Sequence, residues 1–377
     1  MQGFTELQEH VANRFDELNQ ARENGVKVIG YVPGGFMPEE LVYAAGAIPI
    51  GMVYGGGWEA VAESASYLPR WIDTFCRAQI GYYMKDEKSL YKAIDLLVAP
   101  ISDVNVRALA DAFSFYVGLD TFRYGVPHDK DEDVTRYYLE GLHLLKEKLE
   151  QVTGNRIEDQ KLIEAIEEYN RMRELLKSIS DLRKSLSPPI SGKEFAWLNH
   201  ASYLVDVSVL NRCLESIYRE LKDKHGPTPK KRFVLLGSTL AMDDVKIFDI
   251  VEAYGAAIVM EEFAEGGRHY WEPVKINGDL IGALSDRYFT RRVPPAWSRP
   301  TSERVEFVKG QAEAFSADGL LWYQMMYRDG YDVQSFYFQK IAEKEIGVRM
   351  LKVVSDYDPV EVGSLRTRIE TFIDMLT

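Results

Sequence analysis

Val26-Lys27-Val28-Ile29-Gly30, then the Pro/Gly-rich turn Val32–Pro38 and Glu39-Glu40-Leu41-Val42, is the stretch that decides the fold. The β-branched run predicts a strand, the turn a change of direction, and the residues from Glu39 an amphipathic helix. Ala45-Gly46-Ala47 then opens into a second strand, Ile48-Pro49-Ile50. The same plan returns far along the chain. Phe233–Leu236 reaches Gly237, a polar turn covers Ser238–Asp244, a helix starts at Val245, and Gly255-Ala256-Ala257 enters Ile258-Val259-Met260. Strand, glycine turn, helix, small-residue corner and strand make a βαβ unit. Two such units predict an α/β protein of two Rossmann-like, parallel-sheet domains with a working cleft between them.

Outward from these units the pattern changes. Glu132–Leu186 is rich in Glu, Lys, Leu and Arg at helical spacing and is broken at Thr153-Gly154-Asn155, which predicts a helical hairpin with a solvated charged face. A further helix is expected over Gly192–Lys222, and Lys222–Arg232 is a basic, Pro/Gly-containing linker, read as a solvated hinge. The expected division is an N-terminal α/β domain over 1–131, a helical insert over 132–228 and a C-terminal α/β domain over 229–377. Within the outer parts, helices are expected at Leu7–Asn24, Pro69–Tyr83, Asn105–Tyr116 (capped by Asp103) and Val362–Leu376. Buried strands are expected at Leu96–Ala99, Gly319–Trp322 and Met350–Val354.

The chain has 377 residues, 46% hydrophobic and 12% aromatic, which marks a globular protein with room for two or three cores. A net charge of −13 argues against nucleic acid or an anionic membrane as a partner, though a local basic pocket can still take an anionic ligand. No apolar run is long enough to span a bilayer, and Met1-Gln2-Gly3-Phe4-Thr5-Glu6 has neither the basic flank nor the apolar run of a signal peptide. Two cysteines, Cys76 and Cys213, exclude a disulfide scaffold, so the cytoplasm is the expected compartment. No GxGxxG, Walker loop, HExxH, paired CxxC or GxSxG element is present, so local motifs name no reaction.

Four segments together resemble a known family. They are Gly34-Gly35-Phe36-Met37-Pro38-Glu39-Glu40-Leu41 with Ala44–Pro49; Tyr67-Leu68-Pro69-Arg70 leading to Cys76-Arg77; Met260-Glu261-Glu262-Phe263 with Gly267-Arg268-His269-Tyr270; and Leu365–Leu376. The chain resembles the benzoyl-CoA reductase and 2-hydroxyacyl-CoA dehydratase family of iron–sulfur proteins. The resemblance implies a core of two related subunits holding low-potential clusters, [4Fe-4S] or double-cubane. It also implies a separate homodimeric activator, itself an iron–sulfur protein, that hydrolyses ATP with Mg and passes on electrons from a ferredoxin-type donor. The core would act on an acyl-CoA thioester by radical chemistry. In relatives, cluster cysteines correspond to Cys76, Ser102, Ala264 and Arg328 here, so only Cys76 keeps a thiol. Clusters are held mainly by thiolates, commonly four per cubane. The resemblance therefore implies a subunit without a complete cluster, paired with a cysteine-rich sister, most like the smaller core subunit of an ATP-dependent benzoyl-CoA reductase. A subunit of a 2-hydroxyacyl-CoA dehydratase and a non-catalytic partner enclosing the sister's cluster stay open. Cys76 is read either as a possible ligand beside the cluster or as a buried small hydrophobe, and Cys213 as structural.

Other residues fit such a substrate. Arg291, Arg292 and Arg299 surround Trp297 in one loop, and with Arg268 they would contact the phosphates of an acyl-CoA or the sister subunit; ion pairs to acidic helices are the plain alternative. His269 or Tyr270 would donate a proton at the cleft, or serve only as hydrogen-bonding residues. Trp71, Phe113, Phe115 and Tyr116 would wall a dry site, or belong to ordinary core.

Overall fold

The computed structural model describes residues 1–376. Eight strands form two four-stranded sheets. The first holds β1 (Val28–Tyr31), β2 (Ile48–Gly51), β3 (Leu96–Ile101) and β4 (Thr121–Gly125) in the order β2-β1-β3-β4. The second holds β5 (Arg232–Gly237), β6 (Ala257–Glu262), β7 (Gly319–Met325) and β8 (Arg349–Ser355) in the order β6-β5-β7-β8. Every pairing is parallel. The two sheets thus share one topology, and the repeat seen in the sequence is a repeat of the fold. In both, the order reverses beside the first strand, which opens a crevice at the carboxyl ends where such sheets bind ligands.

The glycines at the turns have physical reasons. Gly237 ends β5 at φ +149°, and a Cβ there would sit 1.9 Å from the carbonyl oxygen of Tyr323 on β7. Gly35, at φ +74°, leaves room for a guanidinium: a Cβ would sit 1.9 Å from Arg292 Nη2.

The middle of the chain is helical, as its periodicity predicts: Glu132–Thr153, Asp159–Asp181, Gly192–Ala201 and Val207–Leu221. The single helix expected over Gly192–Lys222 is two, because Asp206 caps a new start by accepting from Ser208 N. The first helix, Gln2–Glu23, packs not on the first sheet alone but against Val207–Leu221, where Gly3 lies close to the Cys213 carbonyl. Cys213 is buried in that apolar cluster with Leu7, Leu210 and Leu214, and burial pushes its thiol up to about 11. Two buried ion pairs brace the helical layer against both sheets. Arg173 meets Glu40 of the first unit at 2.6 Å, and Arg183 meets Glu261 of β6 through both carboxylate oxygens. A continuous apolar core runs from Leu18 through both sheets to Ile373. No helix of the described residues is long and apolar enough to cross a membrane.

Candidate functional site

The carboxyl ends of β3 and β7 face one another. A helix follows each: Val104–Ala112 with Asp103 at its N-cap, and Asp329–Ile341 with Arg328 in the same place. These two topologically equivalent residues pair across the cleft, Arg328 Nη1 to Asp103 Oδ2 at 2.7 Å. The guanidinium also reaches Asp73, Nε to Oδ2 at 3.3 Å. Asp73 caps the helix Thr74–Lys85 by accepting from the backbone N–H of Cys76 at 3.0 Å. One buried arginine therefore joins two helix-capping aspartates from the other half of the molecule. Burial raises the Asp73 carboxyl above its ordinary range, Arg328 draws it back, and Arg328 itself is held well above the usual arginine value by the two aspartates against the cost of burial. Asn105 extends the contact, its amide donating to the Tyr327 carbonyl at 3.2 Å, and Tyr327 adopts φ +67° to present it.

Cys76, Ser102 and Arg328 thus lie in one neighbourhood, linked through Asp73 and Asp103. Cys76 is fully buried, and burial, with Asp73 and Asp103 nearby, pushes its thiol well above the ordinary value. Ser102 Oγ donates to Asp103 at 3.1 Å. Ala264 lies in the loop after β6, with its carbonyl accepting from Tyr203 Oη at 3.2 Å. Among the described residues no group of three or more His, Cys, Asp or Glu is arranged to hold a metal ion. A thiol kept protonated, a serine hydroxyl and a cation already paired with two carboxylates do not fit an iron–sulfur cluster, whose irons need thiolates.

A second cluster lies under the Gly34-Gly35 turn. Glu40 accepts from Arg173 and from Tyr288 Oη, at 2.6 and 2.7 Å. Glu39 is 3% exposed and accepts from Tyr31 Oη; burial pushes its carboxyl up to about 7 against the pull of that hydrogen bond. Arg292 spans the turn, Nη2 donating to the Gly34 carbonyl at 2.9 Å and Nη1 to that of Arg268 at 3.3 Å. Burial, with Arg268 and Arg287 nearby, brings it down to about 9.

The residues singled out from sequence fall as follows. Arg268, Arg291 and Arg292 line one small cavity, joined by Arg287, which no sequence motif marked. Arg299, expected with them, is exposed and does not line that cavity. His269 is enclosed, stacked on Tyr203 at 4.3 Å with Nε2 3.0 Å from Ser202 Oγ. Burial and the arginines around it hold its pKa well below the ordinary value, so the ring is neutral. Tyr270 turns away from the cleft into the helical layer, where its hydroxyl donates to Ser180 Oγ at 3.0 Å. Of the four aromatics expected to wall a dry site, only Phe113 is buried; Trp71, Phe115 and Tyr116 are 65%, 81% and 49% exposed. These three rings therefore face outward. Arg173 was hidden inside a charge-rich helix that read as a solvated face, and only its burial distinguishes it from its exposed neighbours.

Residues 35–376 match the family described as 2-hydroxyglutaryl-CoA dehydratase, D-component. The chain is 22% identical to the (R)-phenyllactyl-CoA dehydratase beta subunit of Clostridium sporogenes, over 95% of this chain and 94% of the relative. It is 24% identical to a benzoyl-CoA reductase subunit of Thauera aromatica, over 85% and 82%. It is 22% identical to the lactoyl-CoA dehydratase subunit beta of Anaerotignum propionicum, over 99% and 98%.

Proposed function

From the premise that this chain belongs to the 2-hydroxyglutaryl-CoA dehydratase D-component family, we propose that it is the cluster-free core subunit of an acyl-CoA-transforming enzyme. Its sister subunit, richer in cysteine, would hold the iron–sulfur cluster. The relatives are named as subunits, which implies a partner. The observation that carries the cluster-free reading is the Arg328–Asp73–Asp103 bridge. It includes Arg328 and adjoins Cys76 and Ser102, positions at which the resemblance implies cluster thiolates, and its charges are already satisfied. Apolar side chains left exposed next to the bridging residues in the chain support the partner: Trp71 and Val104 on one half, Tyr327 on the other.

For the reaction we favour ATP-dependent, dearomatising reduction of an aroyl-CoA, with low-potential electrons from a separate ATP-hydrolysing iron–sulfur activator fed by a ferredoxin-type donor. The support is the loss of ligand cysteines together with the likeness to the benzoyl-CoA reductase subunit of Thauera aromatica. A dehydratase role is the second reading, favoured by two relatives named as dehydratase subunits. In either case His269, neutral and enclosed, is the retained candidate for a hydrogen-bonding group, since the Tyr270 hydroxyl is committed to Ser180.

The test is to purify the chain with its co-expressed neighbours and to measure iron and acid-labile sulfide on each separated subunit. Iron confined to the sister is expected; a full cubane reconstituted on this chain alone would overturn the reading. Anoxic assays with benzoyl-CoA against 2-hydroxyacyl-CoA thioesters then separate reductase from dehydratase.

A further inference from the structure

Buried arginines are normally matched by carboxylates, because an unpaired buried charge is costly. Around Arg292 the matching is incomplete. Arg287 and Arg292 are 3% and 4% exposed, and neither forms an ion pair with a carboxylate among the described residues. Their hydrogen bonds go to carbonyl oxygens: Arg287 to Glu272 and His269, Arg292 to Gly34 and Arg268. Arg268, also 3% exposed, shares the carboxylate of Glu262 with Arg304. Three buried guanidinium nitrogens here, Arg268 Nε, Arg268 Nη1 and Arg292 Nε, have no hydrogen-bond partner, and of these only Arg268 Nε lies against a carboxylate, 3.0 Å from Glu262.

All three arginines line the same cavity of about 100 Å³. Arg291 lies at its rim, half-buried and held by Asp286 and Glu272, and Trp271 and Phe307 supply an apolar wall. Glu272 is the one carboxylate in the lining, and it is engaged by Arg291. The burial that lowers Arg292 is aggravated by Arg268 and Arg287, the condition that a bound anion relieves; burial and Arg173 lower Arg287, which Glu40 and Glu39 only partly restore.

We propose that this cavity is a binding site for a phosphate group, held by Arg268, Arg287 and Arg292 and admitted past Arg291. Guanidinium forks suit a tetrahedral oxyanion, which accepts several N–H donors at once, and a void of this size takes one such group and little more. Chloride cannot offer that array of oxygens. The phosphate comes either from a coenzyme A thioester, an origin that rests on the reading above, or from free inorganic phosphate; the site itself rests on the unmatched arginines.

The full chain, without partner or reductant, is melted in inorganic phosphate and in chloride at equal ionic strength, and is titrated calorimetrically with coenzyme A, dephospho-coenzyme A and pantetheine. A saturable rise in Tm with phosphate, absent with chloride, is expected. Arg287→Gln and Arg292→Gln are expected to weaken binding at least tenfold, while the exposed Arg171→Gln leaves it unchanged. Tighter binding of coenzyme A than of phosphate, lost in pantetheine, identifies the coenzyme as the source; phosphate binding without coenzyme A binding identifies the free ion. Should the buried variants not fold, Arg291→Gln at the rim is expected to weaken binding several-fold in a folded protein. No saturable stabilisation by phosphate or coenzyme A, or binding unchanged in the arginine variants, would overturn the site. Neither outcome bears on where the iron resides, so this test and that of the subunit assignment fail independently.

Discussion

Arg328 shows what one buried side chain can do between the two halves of a fold. Its guanidinium neutralises two aspartates that would otherwise be buried as like charges. Removing one member of a buried ion group leaves the others uncompensated, at a cost of about 3–5 kcal/mol. Arg328→Met is expected to destabilise the chain by that order in urea unfolding, and the triple change with Asp73→Asn and Asp103→Asn to recover most of it. An unchanged midpoint in the single variant would refute the bridge. Glu39 makes a second prediction. Its carboxyl is pushed from 4.5 to about 7 by burial, so the native state binds a proton that the unfolded chain releases. Stability from this group is present below pH 4.5 and is lost as pH rises through 7, roughly 3 kcal/mol in all. Glu39→Gln is expected to unfold at a higher midpoint than the natural protein at pH 8 and to lose this part of the pH slope. Equal slopes for the two proteins between pH 5 and 8 would show that Glu39 ionises normally.

At the scale of elements, strands and turns were legible because their signals are local. Val26–Gly30 and Phe233–Gly237 each combine a β-branched or apolar run with a glycine that the turn requires. Gly237→Ala would place a methyl group 1.9 Å from a backbone carbonyl of the neighbouring strand. The expected loss is about 2 kcal/mol or more, read from the denaturation midpoint; Gly278→Ala, which meets nothing within 4 Å, is the comparison and is expected to stay within about 0.5 kcal/mol. Where the local signal was weak, the reading missed. β4, Thr121–Gly125, was not expected because Thr-Phe-Arg-Tyr-Gly mixes a charged residue into a short run, and the strand exists by pairing with β3. Gly192–Lys222 looked like one helix because the interruption at Ser202–Val205 keeps apolar side chains, and only the Asp206 cap reveals the break.

For the whole molecule, the apolar side chains left in solvent next to Asp73, Asp103 and Arg328, namely Trp71, Val104 and Tyr327, define the expected partner face. Trp71→Asp is expected to abolish co-purification with the sister subunit while shifting the lone chain's stability by less than about 0.5 kcal/mol. Retained assembly at unchanged affinity would move the interface elsewhere. The sequence by itself determined the two βαβ units, the helical layer between them and the family, because hydrophobic period, glycine placement and short motifs are properties of neighbouring residues. It also showed that, of the positions at which the resemblance implies thiols, only Cys76 carries one. Only the tertiary structure decided what those residues do instead. The pairing of Arg328 with Asp73 and Asp103, the burial of Arg173 and the surplus of guanidinium around Arg292 join residues far apart in the chain. A charge's meaning depends on its distance to other charges and to water, and neither can be read along a single chain.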